Sequence, residues 1–356
     1  MRVLIVKTSS MGDLIHTLPA VTDAARANEG IRFDWVAEHW FAEIPGWHPA
    51  VEHVIPVSIR KWRRNPLARV ARKEIASTLT ALRAQHYDYV IDAQGLIKSA
   101  ILTRLCRGRR CGLNSASCRE PLAAAAYQDR FAVAKEMHAI DRVRMLFSRV
   151  LDYDYDSQCL DYGLDKSTFD PPAKNRPYVV FLHGTSWRTK LWPSASWRDL
   201  AGLASAAGYD ILLPWGGEAE KVRAEEIAGN CGRAEVLPRM PLTALAGLLA
   251  YASGVVGVDT GLAHLAAALG VPGVTLYLNT YPRLTGARGA LQTCLARPEV
   301  LGGNGSAAAE VCAGLEAVFC EHLSAETVWG NLTKKMNPRG LKDSIINGLY
   351  GDRKRE

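Results

Sequence analysis

The chain has 356 residues, of which 48 % are hydrophobic and 22 % charged, and its formal net charge is +7. This composition is typical of a folded globular protein and excludes an intrinsically disordered one. No run of about 20 apolar residues is present, so the sequence predicts no membrane-spanning helix. The amino terminus also lacks the apolar core of a signal peptide, and we expect a cytoplasmic protein.

The eight cysteines form neither a Cys-x-x-Cys pair nor a zinc-binding spacing with histidine. In a chain of this size they are expected to be reduced and mostly buried thiols. The sequence therefore predicts no metal site and no disulfide framework.

The positive charge is concentrated in the first part of the chain. Residues 1–150 contain 23 Lys and Arg against 14 Asp and Glu, a net charge of +9, whereas the remainder contains 20 against 22. Such an excess favours an anionic partner for the first part. A phosphorylated substrate, an acidic membrane surface and nucleic acid all meet this condition.

The first strand, loop and helix are the clearest element of the chain. The apolar run Val3–Val6 predicts a buried strand, the polar loop 7–13 follows, and apolar residues then recur at helical spacing. In an open α/β sheet, such a strand end opens a ligand crevice, in which Asp13 would lie. The alternative is that Asp13 only caps the helix.

Strands and helices alternate along the rest of the chain, which predicts α/β architecture with mostly parallel sheets. The Pro-rich stretch 170–177 indicates a linker. We predict a first domain over 1–165, a linker over 166–176, a second domain over 177–332, and a partly disordered tail over 333–356.

Three turns of the second domain place small and polar residues where a strand meets a helix. They contain Thr185 and Ser186, then Gly216 and Gly217, then the run 259–261. Glycine allows close approach of the backbone, and helix amino ends favour phosphate. Any one turn could be purely structural, but three at matching positions indicate a nucleotide site. Lys190 could bind a diphosphate, and Glu218 or Glu220 could accept hydrogen bonds from ribose.

A cluster of four cations around Trp62 follows the third predicted strand. The cluster comprises Arg60, Lys61, Arg63 and Arg64. It is either an anion-binding segment or a solvated charged loop. Nucleic acid is not expected as a partner, because Trp62 is the only aromatic residue interleaved with these cations.

The motifs resemble those of the ADP-heptose:lipopolysaccharide heptosyltransferase family, and most closely its heptosyltransferase I group. The resemblance is carried by the segments 7–20, 92–99, 190–193 and 259–264 and extends over about residues 1–330. Ser186 stands where the family has threonine, which preserves the hydroxyl. Residues 300–313 and the tail have no counterpart in the family.

The resemblance implies a GT-B fold, in which two Rossmann-like domains face each other across a cleft. It implies transfer of heptose from ADP-heptose to Kdo2-lipid A with inversion, without a metal cofactor, at the cytoplasmic face of the inner membrane. The protein is expected to be monomeric, in peripheral contact with that anionic membrane. Asp13 matches the catalytic base.

The resemblance also implies a set of donor-binding residues, and the charge pattern of the first domain gives a set of acceptor-binding residues. The residues expected to bind the donor are Thr185, Ser186, Lys190, Glu220, Met240, Asp259, Thr260, Gly261 and His264. We expect the cations of the basic first domain to bind the acidic acceptor. These residues, with one amide, are Arg60, Lys61, Arg63, Arg64, Gln94, Lys98, Arg119 and Arg142.

The residues alone leave two alternatives open. A GT-B enzyme could transfer or epimerise another nucleotide sugar, and a nucleotide-regulated binding protein could dock on acidic lipid. The binding protein would not need Asp13. A lone helix histidine such as His264 more often serves packing than chemistry.

Overall fold

The structure is a computed structural model, which describes residues 1–64, 68–185, 187–297, 310–312, 315–320 and 323–337. The chain divides into two compact units, Met1–Leu164 and a second one that begins at Asp165. The division falls one residue before the end of the predicted first domain.

The first unit is an α/β sheet with helices between its strands. Within its described residues the sheet has six strands in the order β3-β2-β1-β4-β5-β6, and every pairing is parallel. The strands are β1 (Arg2–Val6), β2 (Arg32–Glu38), β3 (Val51–Val57), β4 (His86–Asp92), β5 (Arg107–Leu113) and β6 (Asp129–Phe131). The α-helices are α1 (Met11–Ile15), α2 (Leu18–Ala27), α3 (Glu43–Gly46), α4 (Ile59–Arg64), α5 (Arg69–Ala84), α6 (Ile97–Leu105) and α7 (Ala139–Leu151). Short 3₁₀ turns occupy His39–Phe41 and Pro121–Ala126.

Strand β1 forms the centre of this sheet because its side chains are apolar on both faces. Val3, Leu4, Ile5 and Val6 are completely buried, as expected for a parallel strand covered by helices on each side. Helices α2 and α7 pack together. They are linked by an ion pair in which the buried Arg144 donates to Asp23 at 2.6 Å.

The second unit repeats this architecture. Its described residues form an eight-stranded sheet in the order β13-β14-β12-β11-β10-β7-β8-β9. The strands are β7 (Tyr178–Leu182), β8 (Asp210–Leu213), β9 (Ala234–Val236), β10 (Gly254–Val258), β11 (Gly273–Tyr277), β12 (Gln292–Ala296), β13 (Glu310–Cys312) and β14 (Leu315–Phe319). Only the β13–β14 pairing is antiparallel among them.

The helices of the second unit bury a cluster of aromatic rings against this sheet. They are α8 (Ser194–Ala206), α9 (Glu218–Ala228), α10 (Leu242–Ala250), α11 (Gly261–Ala268), α12 (Pro282–Thr285) and α13 (Ala325–Met336). Trp197 lies 5.1 Å from both Phe181 and Trp192, measured between ring centroids. Such ring contacts are worth about 0.5–1.5 kcal/mol beyond the burial of apolar area.

Two predicted segments differ from the structure. The basic cluster is not a loop, because Ile59–Arg64 forms helix α4. The predicted tail begins too early, because α13 continues to Met336 and buries Val328 and Leu332 in the core of the second unit. Residues 300–309, 313 and 338–356 lie outside the described residues. No helix within the described ranges is both long and apolar enough to cross a bilayer.

Candidate active site

The strand order locates the ligand crevice of each unit. In the first sheet β1 lies between β2, which follows it directly in the chain, and β4, which follows after a crossover to the other side. In the second sheet β7 lies between β8 and β10 in the same way. Ligands of such sheets bind where the order reverses, at the carboxyl ends of the strands. These points lie between β1 and β4 in the first unit and between β7 and β10 in the second.

Asp13 lies at the reversal point of the first unit, in the first turn of α1. Its Oδ2 accepts hydrogen bonds from the Ser10 backbone N–H at 2.7 Å and from the Ser10 hydroxyl at 2.8 Å. Its Oδ1 lies 3.8 Å from Nζ of Lys7, and 41 % of the side chain is exposed. Ser10, not Asp13, is the N-cap residue of α1. Asp13 is the third residue of the helix and accepts a hydrogen bond from the N-cap backbone N–H, as in a capping box.

The charges around Asp13 keep it ionised. Desolvation by itself raises the pKa of Asp13, but the Lys7 ammonium, the Ser10 hydrogen bonds and the more distant Arg119 outweigh it and lower the pKa below its usual value. A half-exposed carboxylate with one oxygen fixed by hydrogen bonds and the other 3.8 Å from a cation can accept a proton from a hydroxyl group.

The exit of β4 is bonded directly to the loop of Asp13. The Gln94 side-chain oxygen accepts from the N–H and the hydroxyl of Thr8, both at 2.8 Å, and its amide donates to the Ser9 carbonyl at 3.0 Å. Lys98 donates to the Ser9 hydroxyl at 2.9 Å. Gln94 and Lys98, which are predicted from the sequence to bind the acceptor, therefore contact the loop that carries Asp13 and hold it in place.

A turn around the buried Asp92 fixes this exit. Its Oδ1 accepts from the N–H groups of Gln94 and Gly95, and its Oδ2 accepts from the Tyr127 hydroxyl at 2.7 Å. Gly95 has φ +67°, in the left-handed region that favours glycine. Burial raises the pKa of Asp92, although these hydrogen bonds oppose the shift.

Two of the predicted acceptor-binding cations act at the same edge. Desolvation lowers the pKa of Lys98 and the charge of Arg60 lowers it further, whereas Glu38, Asp13 and Glu120 raise it. Arg60 is exposed on α4, and its backbone N–H donates to Glu38 at 3.3 Å. Lys98 and Arg60 thus act on one another electrostatically.

Arg119 lies in the loop after β5, whereas Arg142 lies on α7 and contacts that loop. Arg119 is exposed, and its charge lowers the pKa of Asp13. The Arg142 guanidinium donates to the Ser117 carbonyl at 2.8 Å, which holds the loop from behind. Burial lowers the pKa of Arg142, and its Nε has no hydrogen-bond partner.

One cation of the basic cluster on α4 is paired with a carboxylate of the neighbouring helix α5. Glu74 of α5 accepts from Lys61 at 2.6 Å and from the Trp62 indole N–H at 3.0 Å. These hydrogen bonds lower the pKa of Glu74. Lys61 is therefore paired internally, whereas Arg63 and Arg64 are exposed at the end of α4.

The second unit has a more deeply buried carboxylate at its own reversal point. Asp259 follows β10, and its Oδ2 accepts from Lys190 at 2.6 Å and from the Thr280 hydroxyl at 2.7 Å. Its Oδ1 lies 3.7 Å from Nε2 of His264. Desolvation raises the pKa of Asp259, but His264, Lys190 and Thr280 together lower it far below the usual value.

The predicted diphosphate ligand Lys190 is thus engaged in an ion pair. Its side chain is 20 % exposed, so the ammonium group remains accessible at one side. Lys190 ends the 3₁₀ turn Arg188–Lys190. Two residues later the buried Trp192 donates from its indole N–H to the Leu323 carbonyl. An anion bound here would share Lys190 with Asp259.

Glu220 closes the turn between β8 and α9 onto the exit of β7. Its Oε2 accepts from the Gly216 N–H at 2.7 Å. A Cβ atom on Gly184 would lie 2.6 Å from the Glu220 carboxyl group, so a larger residue there would displace the Glu220 side chain. Gly217, in contrast, has no atom of the described residues within 4 Å of the position of an added Cβ.

The remaining residues predicted to bind the donor sugar nucleotide differ in their position and burial. Thr185 donates to the Asp259 carbonyl at 3.3 Å, and Thr260 precedes Gly261 as the N-cap of α11. His264 is buried beside Asp259. Met240 is half-buried between β9 and α10. Ser186 lies outside the described residues.

Two participants were not singled out from the sequence. Lys7 belongs to the polar loop 7–13 with no role of its own predicted, yet it forms an ion pair with Asp13 at 3.8 Å. Thr280 was not considered, although its position just after β11 places it at the same edge of the sheet as Asp259.

One cluster of the first unit has metal-ligand chemistry. Asp34, Glu52 and His53 lie with ligand atoms within 4.8 Å of one another, the only such group found in the described ranges. Arg2 lies 3.1 Å from Glu52 and 3.6 Å from Asp34, and Arg32 lies 3.2 Å from Glu52. These arginines balance the carboxylate charges.

Comparison with known proteins shows the family of the chain. Residues 75–300 match the model of glycosyltransferase family 9 (heptosyltransferase). Lipopolysaccharide heptosyltransferase 1 of Pseudomonas aeruginosa is 51 % identical over 296 residues, 83 % of each chain.

Two solved structures of the E. coli heptosyltransferase WaaC are similar to this chain. The complex with ADP has a TM-score of 0.84 and 44 % identity, covering 94 % of this chain and all of the other. The complex with ADP-2-deoxy-2-fluoro heptose has a TM-score of 0.77 and 47 % identity, covering 83 % and 92 %. Two mostly parallel α/β sheets with this similarity define a GT-B fold. The chain belongs to glycosyltransferase family 9, the heptosyltransferase family.

Proposed function

We propose that this protein is a lipopolysaccharide heptosyltransferase that transfers L-glycero-D-manno-heptose from ADP-heptose to Kdo2-lipid A, with inversion at the anomeric carbon. The observation that carries the proposal is the half-exposed Asp13 carboxylate, fixed by Ser10 and Lys7 where the strand order reverses. The relatives named above support the donor and the class of acceptor.

The reaction needs one base and one site for the leaving group. Asp13 Oδ1 takes the proton of the acceptor hydroxyl, whose oxygen attacks the anomeric carbon, and the bond from that carbon to the diphosphate breaks. ADP leaves with the bonding electron pair. Attack from the face opposite the diphosphate converts the β-linked donor into an α-linked product. A single carboxylate suffices for this inversion.

The second unit supplies the charge that the leaving diphosphate needs. Lys190 is paired with the Asp259 carboxylate and is partly exposed, so it can turn part of its charge toward a diphosphate. The amino end of α11, which begins at Gly261, adds backbone N–H groups. Lys190 and these N–H groups can carry this charge without a metal, and we propose metal-independent catalysis.

The anionic acceptor matches the cations at the carboxyl edge of the first sheet. Arg60 and Lys98 act on one another there, and Arg119 acts on Asp13. Arg63 and Arg64 extend the charge along α4. We expect carboxylates of Kdo and phosphates of lipid A to bind these side chains. The enzyme would then work as a monomer at the cytoplasmic face of the inner membrane.

The direct test is incubation with ADP-heptose and Kdo2-lipid A, followed by mass analysis of the lipid. One added heptose and one equivalent of released ADP are the expected result. Parallel reactions with other nucleotide sugars test the alternative donors. Release of ADP without a gain in lipid mass, or heptose transfer that is unchanged in an Asp13→Asn variant, would contradict the proposal.

A further inference from the structure

The exposed large apolar side chains of the first unit are concentrated in a few elements. Trp40 is 71 % exposed, Val70 60 %, Ile97 43 %, Ile101 57 % and Leu122 77 %. Single exposed apolar residues are ordinary on protein surfaces, but a group that shares one face marks an interaction site.

The topology places these side chains at one edge of the sheet. Trp40 lies on the 3₁₀ turn after β2, and Val70 lies at the start of α5, which follows β3 and α4. Ile97 and Ile101 lie in the first two turns of α6 after β4, and Leu122 follows β5. Since all five pairings are parallel, these strands end at the same edge as the loop of Asp13.

Contacts between elements bring the apolar side chains of α6 and of the following 3₁₀ turn close together. Ile97 and Ile101 are four residues apart on α6 and therefore share a face of that helix. The 3₁₀ turn that carries Leu122 packs against α6, and the Glu120 carboxylate accepts from the Ile97 N–H at 2.6 Å. Helices α5 and α6 are also in contact. We call the five side chains the apolar edge.

Cations surround the apolar edge. Arg60, Arg63 and Arg64 are exposed on α4, and the exposed Arg119 lies three residues before Leu122. Large apolar side chains, an exposed tryptophan and surrounding arginines are the combination that binds at the surface of an anionic bilayer. A tryptophan ring in particular favours the headgroup region.

We propose that the apolar edge and its surrounding arginines dock this protein on an anionic lipid bilayer. Trp40, Ile101 and Leu122 enter the boundary between headgroups and acyl chains, while the arginines contact lipid phosphates. The proposal rests on the proposed function in one respect, namely that the acceptor is carried by a lipid. Docking by this edge brings the bilayer to the strand ends where Asp13 lies.

The test measures binding to vesicles and does not require turnover. Full-length wild type is sedimented with vesicles of phosphatidylethanolamine and phosphatidylglycerol, and separately with vesicles of phosphatidylcholine alone. We expect binding to the anionic vesicles only, with a decrease at high salt. The double variant Ile101→Ser and Leu122→Ser should bind about tenfold more weakly. The matched control Val222→Ser, at a 48 % exposed side chain on α9 of the second unit, should bind as wild type does.

A second measurement separates docking from catalysis. The double variant should keep wild-type turnover on a deacylated, water-soluble acceptor and lose turnover on an acceptor embedded in vesicles. Unchanged vesicle binding by the double variant, or no binding by wild type, overturns the proposal whether or not heptose is transferred. So does a wild-type dimer in sedimentation velocity that the same two substitutions dissociate, because the apolar edge would then pack against a second copy.

Discussion

Asp13 and Asp259 occupy equivalent positions in their units but have different surroundings. Each follows a central strand and lies at or just before a helix start, and each has a lowered pKa. The Asp13 side chain is 41 % exposed and has a cation 3.8 Å away, whereas that of Asp259 is 10 % exposed and accepts from Lys190 at 2.6 Å. The same topological position can thus hold a carboxylate open for proton transfer or one closed around a cation.

The largest expected effect in this comparison comes from Asp13→Asn. The amide oxygen can still accept from Ser10, so the melting temperature and the donor Kd should barely change. Loss of the base should lower kcat by at least about 10², since general-base catalysis is typically worth 10²–10⁴. Steady-state kinetics with both substrates measure this.

The control for that variant is Asp129→Asn, which alters a carboxylate of the same unit that is paired with Arg109. It should retain wild-type kcat. A folded Asp13→Asn protein that turns over within a few-fold of wild type would remove Asp13 from the mechanism.

Asp259→Asn should act on binding and stability more than on proton transfer. Breaking a buried ion pair costs about 3–5 kcal/mol, and the partial exposure of Lys190 should reduce this to about 1–3 kcal/mol. We expect a lower melting temperature. We also expect the Kd for ADP, measured by calorimetry, to rise by about tenfold. Asp210→Asn, which alters the more exposed pair with Arg233, should change stability by less than about 1 kcal/mol.

The same variant should alter the response to acid. Because the folded-state pKa of Asp259 lies below the unfolded value, its stabilisation is present above the unfolded pKa and is lost as pH falls through the folded one. Wild type and Asp259→Asn should therefore converge in stability toward low pH. Urea unfolding at pH 7 and at successively lower pH checks this, and a difference that grows as pH falls would contradict the assignment.

The cations of α4 should differ in their effect on the acceptor KM, depending on whether they are paired within the chain. Replacing Arg63 and Arg64 with Gln should raise the acceptor KM several-fold and leave the donor KM nearly unchanged. Lys61→Gln should have a smaller effect, because Lys61 is paired with Glu74. Equal increases of both KM values in the arginine variant would indicate misfolding instead.

Lys7 should set the pH range over which Asp13 works. Lys7→Gln removes the charge but can keep the hydrogen bond to the Ala93 carbonyl, which Lys7 makes at 2.9 Å, whereas Lys7→Met removes both. Since the Lys7 charge lowers the pKa of Asp13, either variant should lose activity at a higher pH than wild type does as the solution is acidified. A pH profile of Lys7→Gln that matches wild type would show that Lys7 serves only the loop.

The smallest expected effect is that of a chelator. Lys190 and the helix amino ends can carry the diphosphate charge in the second unit, so activity in EDTA should equal the untreated activity. Loss of activity that Mg²⁺ or Mn²⁺ restores would show that a divalent metal ion is required.

Local patterns were sufficient for the strands and for the approximate position of the site. The buried runs Val3–Val6 and Tyr178–Leu182 are apolar throughout and form central strands as predicted. Periodicity failed at the basic cluster, which is a short helix, because six residues give too few turns to show a period.

The sequence by itself determined the α/β class, the polar turns at strand ends and the family. These depend on residue patterns over a few neighbouring positions, which the chain displays directly. Only the tertiary structure decided which charges are paired. Lys61 binds Glu74 across 13 positions, and Lys190 binds Asp259 across 69. It also left Asp13 half exposed and Asp259 enclosed, because burial depends on side chains such as Thr280, which reaches Asp259 from the end of the neighbouring strand β11, 21 positions along the chain.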